Sequence, residues 1–180
     1  MSVELNRPAG PATRPHEHTG GRRLSPPLRK LLLVVHLIGA LGLLGTDLTV
    51  LLLSTAGATG TESRTVYPAA HLIGVTLLVP LALVALGTGL LQGLLTPWGL
   101  VRHWWVTLKL VLTVAGTVLA LRVLTPALDA AAHAALTGEL LSSRDRWLLV
   151  RDSGAASVVL VITVLLSVYK PFGRIRRRRS

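Results

Sequence analysis

Five side chains set in apolar sequence could do chemistry: His36, Asp47, His71, Gln92 and Lys109. The first two lie in Leu31–Leu53, LLLVVHLIGALGLLGTDLTVLLL, a stretch apolar enough to cross a bilayer. An imidazole and a carboxylate in such surroundings could relay protons, hold an ion or help to seat a cofactor. A charged Asp near a helix centre costs about 2.5–3.5 kcal/mol on insertion scales, so it needs a partner, a proton or water. His36 and Asp47 are eleven residues apart. On a helix that is about 16 Å along the axis and about 20° around it. They share a small, polar face with Gly39, Ala40, Leu43 and Ser54, and that face should point into a bundle.

A second stripe, His71, Gly74, Val75, Leu78, Ala82, Gly89 and Gln92, belongs to the next apolar block. With the two helices antiparallel, Asp47 and His71 both fall in the outer half. An Asp47–His71 contact is the expectation, since it would satisfy both groups in low dielectric. His36 falls in the inner half, level with Gln92 and Lys109, and Lys109 is expected to snorkel to the inner surface. These groups have two uses. Interhelical hydrogen bonds would position the helices, at about 0.6–2 kcal/mol each. The other use is a proton or ion path, or a cofactor site. A bis-histidine haem needs two histidines at one depth on facing helices. His36 and His71 sit at opposite depths, and pairing either with His103 or His133 would rely on loop residues.

Four apolar blocks must position these side chains. A block of about 20 apolar residues matches the roughly 30 Å hydrocarbon core of a bilayer. The hydrophobic fraction is 51% and the mean hydropathy +0.59. The blocks are Leu31–Leu53, about Ala69–Leu95, Trp104–Leu124 and Ser153–Tyr169, the last of which could begin near Trp147. Pro80 should kink the second, and Gly87, Gly89 and Gly93 should allow close helix approach. Ser54–Pro68 and Thr96–His103 read as short connections, and Thr125–Gly154 as the longest. Within the last, Pro126–Leu141 suits a surface helix lying on the bilayer. The tryptophans and tyrosines fall near span ends, as interfacial anchors do.

The fold class is therefore all-α: a four-helix transmembrane bundle at 28–171, between a disordered tail at 1–27 and a basic tail at 172–180. Arg22-Arg23 before the first block mimics an export signal, but the apolar region is long and further spans follow, so a retained helix is expected. The net charge of +11 is concentrated in Arg22, Arg23, Arg29, Lys30, Lys170, Arg174 and Arg176 to Arg179. Basic residues stay on the cytoplasmic side, which puts both termini and Arg102 there, in a bacterial plasma membrane. The tails then meet anionic lipid headgroups.

Several functions drop out. The tails lack interleaved aromatics and a folded binding module, which argues against nucleic acid. Cysteine is absent and methionine occurs only at position 1, which removes thiol redox chemistry, thiolate metal sites and soft copper(I) sites. His16-Glu17-His18 reads as solvated tail rather than as a metal site. There is no phosphate-binding loop, dinucleotide fingerprint, H-E-x-x-H motif or nucleophile beside a base, so no catalytic residue, metal ligand or cofactor is assigned and an enzyme is not expected.

VVHLIGALGLLGTDLTVLLL, TPWGLVRHWWVTLKLVLTV and RDSGAASVVLVITVLLSVYKPFGR resemble a family of bacterial four-span integral membrane proteins classed as a domain of unknown function. The resemblance covers about residues 28–175, and WG-x-x-RHWW-x-x-x-K and SVYKPFGR are its more specific parts. His36 with Gly39 and Ala40 is also loosely similar to the copper-resistance D type of membrane bundle. The family implies no activity. The expected function is a non-enzymatic membrane component, packing against itself or a membrane partner through its Gly-rich faces. A small proton-coupled or ion transporter using spans one and two is the first alternative, and a haem-binding electron carrier the second.

Overall fold

The computed structural model describes residues 25–95, 104–139 and 141–169. The expectations for residues 1–24, Trp98, Arg102, His103 and the basic tail from Lys170 onward fall outside them. The described chain is helical: α1 (Pro26–Ala58), α2 (Ser63–Ile73), α3 (Val79–Leu95), α4 (Trp104–Leu119), α5 (Thr125–Thr137) and α6 (Ser143–Tyr169). Two five-residue π turns, π1 (Gly74–Leu78) and π2 (Ala120–Leu124), join α2 to α3 and α4 to α5 without a break. Four helices long and apolar enough to cross a membrane result: Pro26–Ala58, Ser63–Leu95, Val106–Thr137 and Ser143–Ser167.

Both π turns precede a proline by one residue, in GVTLLVP and ALRVLTP. A proline cannot donate to the carbonyl four residues back, and its ring crowds that carbonyl. The chain widens by one residue instead: Val79 N–H reaches Gly74 O, and Thr125 N–H reaches Ala120 O. The expected kink at Pro80 is thus realised as a wide turn, and Pro126 repeats it. α5 continues the third long helix through Pro126 as far as Thr137. It buries Leu128, Ala131, Ala132 and Ala135, and it packs against α2.

The connections are accordingly shorter than the sequence suggests. α1 runs on through Ala58, and α6 starts at Ser143 rather than Ser153. Gly60 (φ +111°) and Gly138 (φ +81°) take the left-handed conformation after α1 and α5. Thr61 N–H then bonds Ala56 O, and Glu139 N–H bonds Ala134 O, closing each helix end in the same way. Ser142 accepts a bond from Asp145 N–H at 3.1 Å and so caps α6. These two hairpins lie at one end of the bundle, the loop end. The opposite end, bearing the start of α1 and the finish of α6, is the tail end.

α1 packs against α2, α3 and α6, and α4 against α3 and α6. The buried residues of α1 are Gly39, Leu43, Asp47, Val50, Ser54 and Gly57. Their three- and four-residue spacing is the seam of an antiparallel helix pair. Small residues set the separation: a Cβ on Gly39 would lie 3.2 Å from Val84 Cγ1, and one on Gly57 only 2.7 Å from Tyr67 Cζ. Gly87 faces open space among the described residues, so it contributes no close approach. Outward positions such as Leu31, Ile38, Leu52 and Leu94 are large, apolar and exposed.

Candidate functional site

The polar side chains fall into two groups at different depths. Toward the tail end, His36 turns its Nδ1 to Ala85 O and Thr88 Oγ1, both at 3.1 Å. A carbonyl only accepts, so Nδ1 carries the proton and Nε2 keeps the lone pair that a metal or a proton would take. The imidazole lies over Gly89, where a Cβ would come 3.3 Å from Cε1. One turn tailward on α1, Leu32 O accepts a 2.9 Å bond from Gln92 Nε2. Lys109 donates to Ser167 Oγ on α6 at 2.6 Å, so it is half-buried and tied to a neighbouring helix. His36 and Gln92 thus bond across the same helix pair one turn apart, and Lys109 bonds across another. Each binds its own partner, and together they join α1 to α3 and α4 to α6.

The expected Asp47–His71 contact does not form. Gly39 lies against Val84 and Ala85, and Gly57 against Val66 and Tyr67. That register sets Asp47 opposite Leu78, about 10 Å along the axis from His71 at 1.5 Å per residue. Asp47 instead accepts a 2.5 Å bond from Ser157 Oγ on α6 and is only 1% exposed. His71 lies at the rim, its Nε2 3.5 Å from Oδ1 of the exposed Asp129 on α5. The inward stripe of the second long helix passes through Tyr67, Ala70, Gly74, Leu78, Ala82 and Ala85, one position away from His71.

Asp47 also lines a cavity of about 40 Å³ at the centre of the bundle, beside Leu43, Leu78, Thr113, Thr117 and Thr163. Both π turns reach it, through Leu78 from π1 and through Ala120 and Leu124 from π2. π turns recur at functional sites because they widen the helix and re-aim its side chains. A water needs about 10–15 Å³ by this measure, so the space suits a few waters. The threonines donate to carbonyls of their own helices: Thr113 to Lys109, Thr117 to Thr113 and Thr163 to Val159. Their remaining lone pairs and Asp47 are the polar groups of a mostly apolar wall. A hard cation asks for about six oxygens, whereas a proton asks for one carboxylate. The arrangement suits proton binding.

Among the described residues, His36 and His71 have separate partners at separate depths, so they do not form a haem ligand pair. Among the described residues, no group of three His, Cys, Asp or Glu side chains is placed to hold a metal ion.

Ser157, which holds Asp47, was not among the residues singled out from sequence. Neither were Ser54 and Ser153 as a pair, nor the threonines of the cavity. Their signal is weak but visible: Ser153-x-x-x-Ser157 on α6 and Lys109-x-x-x-Thr113-x-x-x-Thr117 on α4 are polar stripes at helical spacing. Comparison with known proteins adds no name to this geometry: no family model, no curated protein and no solved structure matches the chain.

Proposed function

We propose that this chain is a non-enzymatic, four-span integral protein of a bacterial plasma membrane, with both termini in the cytoplasm. The observation that carries the reading is the sidedness of the four long helices. Large apolar side chains point outward along their length, while Gln92, Lys109 and Asp47 are paired between helices. That distribution is suited to lipid outside and hydrogen bonds inside. Basic residues at the tail end, Arg29 and Lys30 among them, would meet anionic headgroups on the cytoplasmic face. The resemblance to a four-span bacterial family belongs to the same reading, as does self-association or a membrane partner. Reporter fusions test it: a fusion in the Thr59–Glu62 hairpin should report the outer side, and one after Ser180 the cytoplasm. Agreement between the two fusions would overturn the topology.

A second reading is favoured by Asp47 alone. A buried carboxyl with one hydroxyl partner, beside a water-sized cavity where two π turns meet, is suited to proton-coupled transport rather than to helix packing alone. Asn has the shape of Asp and can still accept from Ser157. Asp47→Asn should therefore preserve the amount of folded protein and abolish proton-coupled flux in reconstituted vesicles. Loss of folded protein instead would assign Asp47 to structure.

A further inference from the structure

Three buried oxygens on the loop-end side of Asp47 have no hydrogen-bond partner among the described residues: Ser54 Oγ, Ser153 Oγ and Tyr67 Oη. All three residues are fully buried. A buried hydroxyl left without a partner is rare, and the usual resolution is a bound water. Their placement is ordered. Ser157 bonds Asp47, and Ser153 is one turn closer to the loop end on the same face of α6. On α1, Ser54 is two turns beyond Asp47 on its buried face, and Gly57 is one turn further. The Tyr67 hydroxyl lies directly over Gly57, where a Cβ would come 2.8 Å from its oxygen. Arg146 is two turns from Ser153 on α6, and Arg64 is one turn from Tyr67 on α2. Both arginines line an open pocket with Glu139 at the loop end.

We propose that water bound at Ser153, Ser54 and Tyr67 joins the Asp47 carboxyl to this pocket, so that Asp47 exchanges its proton with the loop-end side. The path stops at Asp47. Tailward of it, the hydroxyls of Thr113, Thr117 and Thr163 are already donated to carbonyls of their own helices. Beyond them Lys109 and Ser167 bond to each other. A proton leaving Asp47 passes to the first water, and an equivalent proton emerges at the pocket. The path deepens the proton reading of Asp47, but it is tested separately from flux.

The chain has no cysteine, so a single introduced thiol is the only one that silver ion can block and alkylation can count. Ser153→Cys and Ser54→Cys, each in the full chain in vesicles of known orientation, are exposed to silver ion from one side, and the remaining free thiol is counted by alkylation after solubilisation. Silver ion is small enough for a water-filled path and binds thiolate tightly. Protection should be about tenfold faster with silver on the loop-end side than on the tail-end side, as expected when access limits thiol reaction. Equal protection from both sides, or protection from neither, overturns the path. In the unsubstituted chain, the infrared carboxyl band that Asp47→Asn removes should exchange fully on mixing with heavy water. A band that exchanges as slowly as the buried amides overturns the path even where the cysteine variants do not fold. Loss of flux in Asp47→Asn with silver protection intact would support both readings. Intact flux with silver protection would leave the path standing and remove the transport reading.

Discussion

The tail half and the loop half of the bundle solve the same problem in opposite ways. In the tail half, the described polar side chains that cross between helices have good partners: His36 with Ala85 and Thr88, Gln92 with Leu32, Lys109 with Ser167. In the loop half, one acid is held by one hydroxyl, and three further buried oxygens have no partner among the described residues. Packing tightness varies along the bundle as well. The loop half is closed by Tyr67 pressed on Gly57, while Gly116 beside the central cavity faces open space. Satisfied pairs fix helices in place, whereas unsatisfied buried groups invite water and protons. The proposed proton path therefore belongs to the loop half, and the satisfied interhelical bonds belong to the tail half.

The largest expected effect tests the tight end. In Gly57→Leu, the new side chain starts 2.7 Å from an aromatic ring carbon and 2.9 Å from Val66 Cγ2, with neither able to swing away. Overpacking of this kind costs about 1–3 kcal/mol or more. The folded yield in detergent and the unfolding midpoint should both fall sharply. Gly116→Ala is the matched control and should leave both unchanged, since its Cβ meets nothing within 4 Å.

Ser157→Ala comes next. It strands the Asp47 carboxyl beside apolar walls, and removing the partner of a buried acceptor costs about 1–3 kcal/mol. Thermal unfolding should show the loss, and Asp47→Asn combined with Ser157→Ala should lose less than Ser157→Ala alone, because a neutral amide is easier to bury unpaired. Equal losses would mean that the carboxyl is not what Ser157 stabilises.

His36→Ala should be milder. It removes one interhelical donor shared between two acceptors, worth about 0.6–2 kcal/mol in a bilayer. It should lower the unfolding midpoint without changing proton flux. A change in flux at constant stability would move function into the tail half and break the comparison.

The smallest effect is the most discriminating. Ser54→Ala removes a hydroxyl that has no protein partner among the described residues. If the site is wet, the change should slow heavy-water exchange at Asp47 with a stability change within about 0.5 kcal/mol. A clear gain in stability with unchanged exchange would mark a dry site.

Much of this molecule is legible from residue order. Four long apolar blocks dictate four long helices, and the face carrying Gly39, Leu43, Asp47 and Ser54 is inward because small and polar side chains pack best against other helices. The Asp47–His71 pairing fails for a definite reason. Depth was matched by halves of a span, while the register is set by Gly39 and Gly57, whose contacts place Asp47 opposite Leu78. The prolines mislead at a finer scale. Pro80 reads as a kink and Pro126 as part of a connection, but one extra residue in the preceding turn lets each helix pass.

Composition and periodicity determined the helices, their apolar outer surface and the identity of the one interior acid, because those depend on local spacing and on transfer from water. The partner of that acid was decided by tertiary structure alone. Ser157 is 110 residues from Asp47, and only the antiparallel packing of α1 on α6, set to within a turn by where small residues let backbones approach, brings its hydroxyl to the carboxyl.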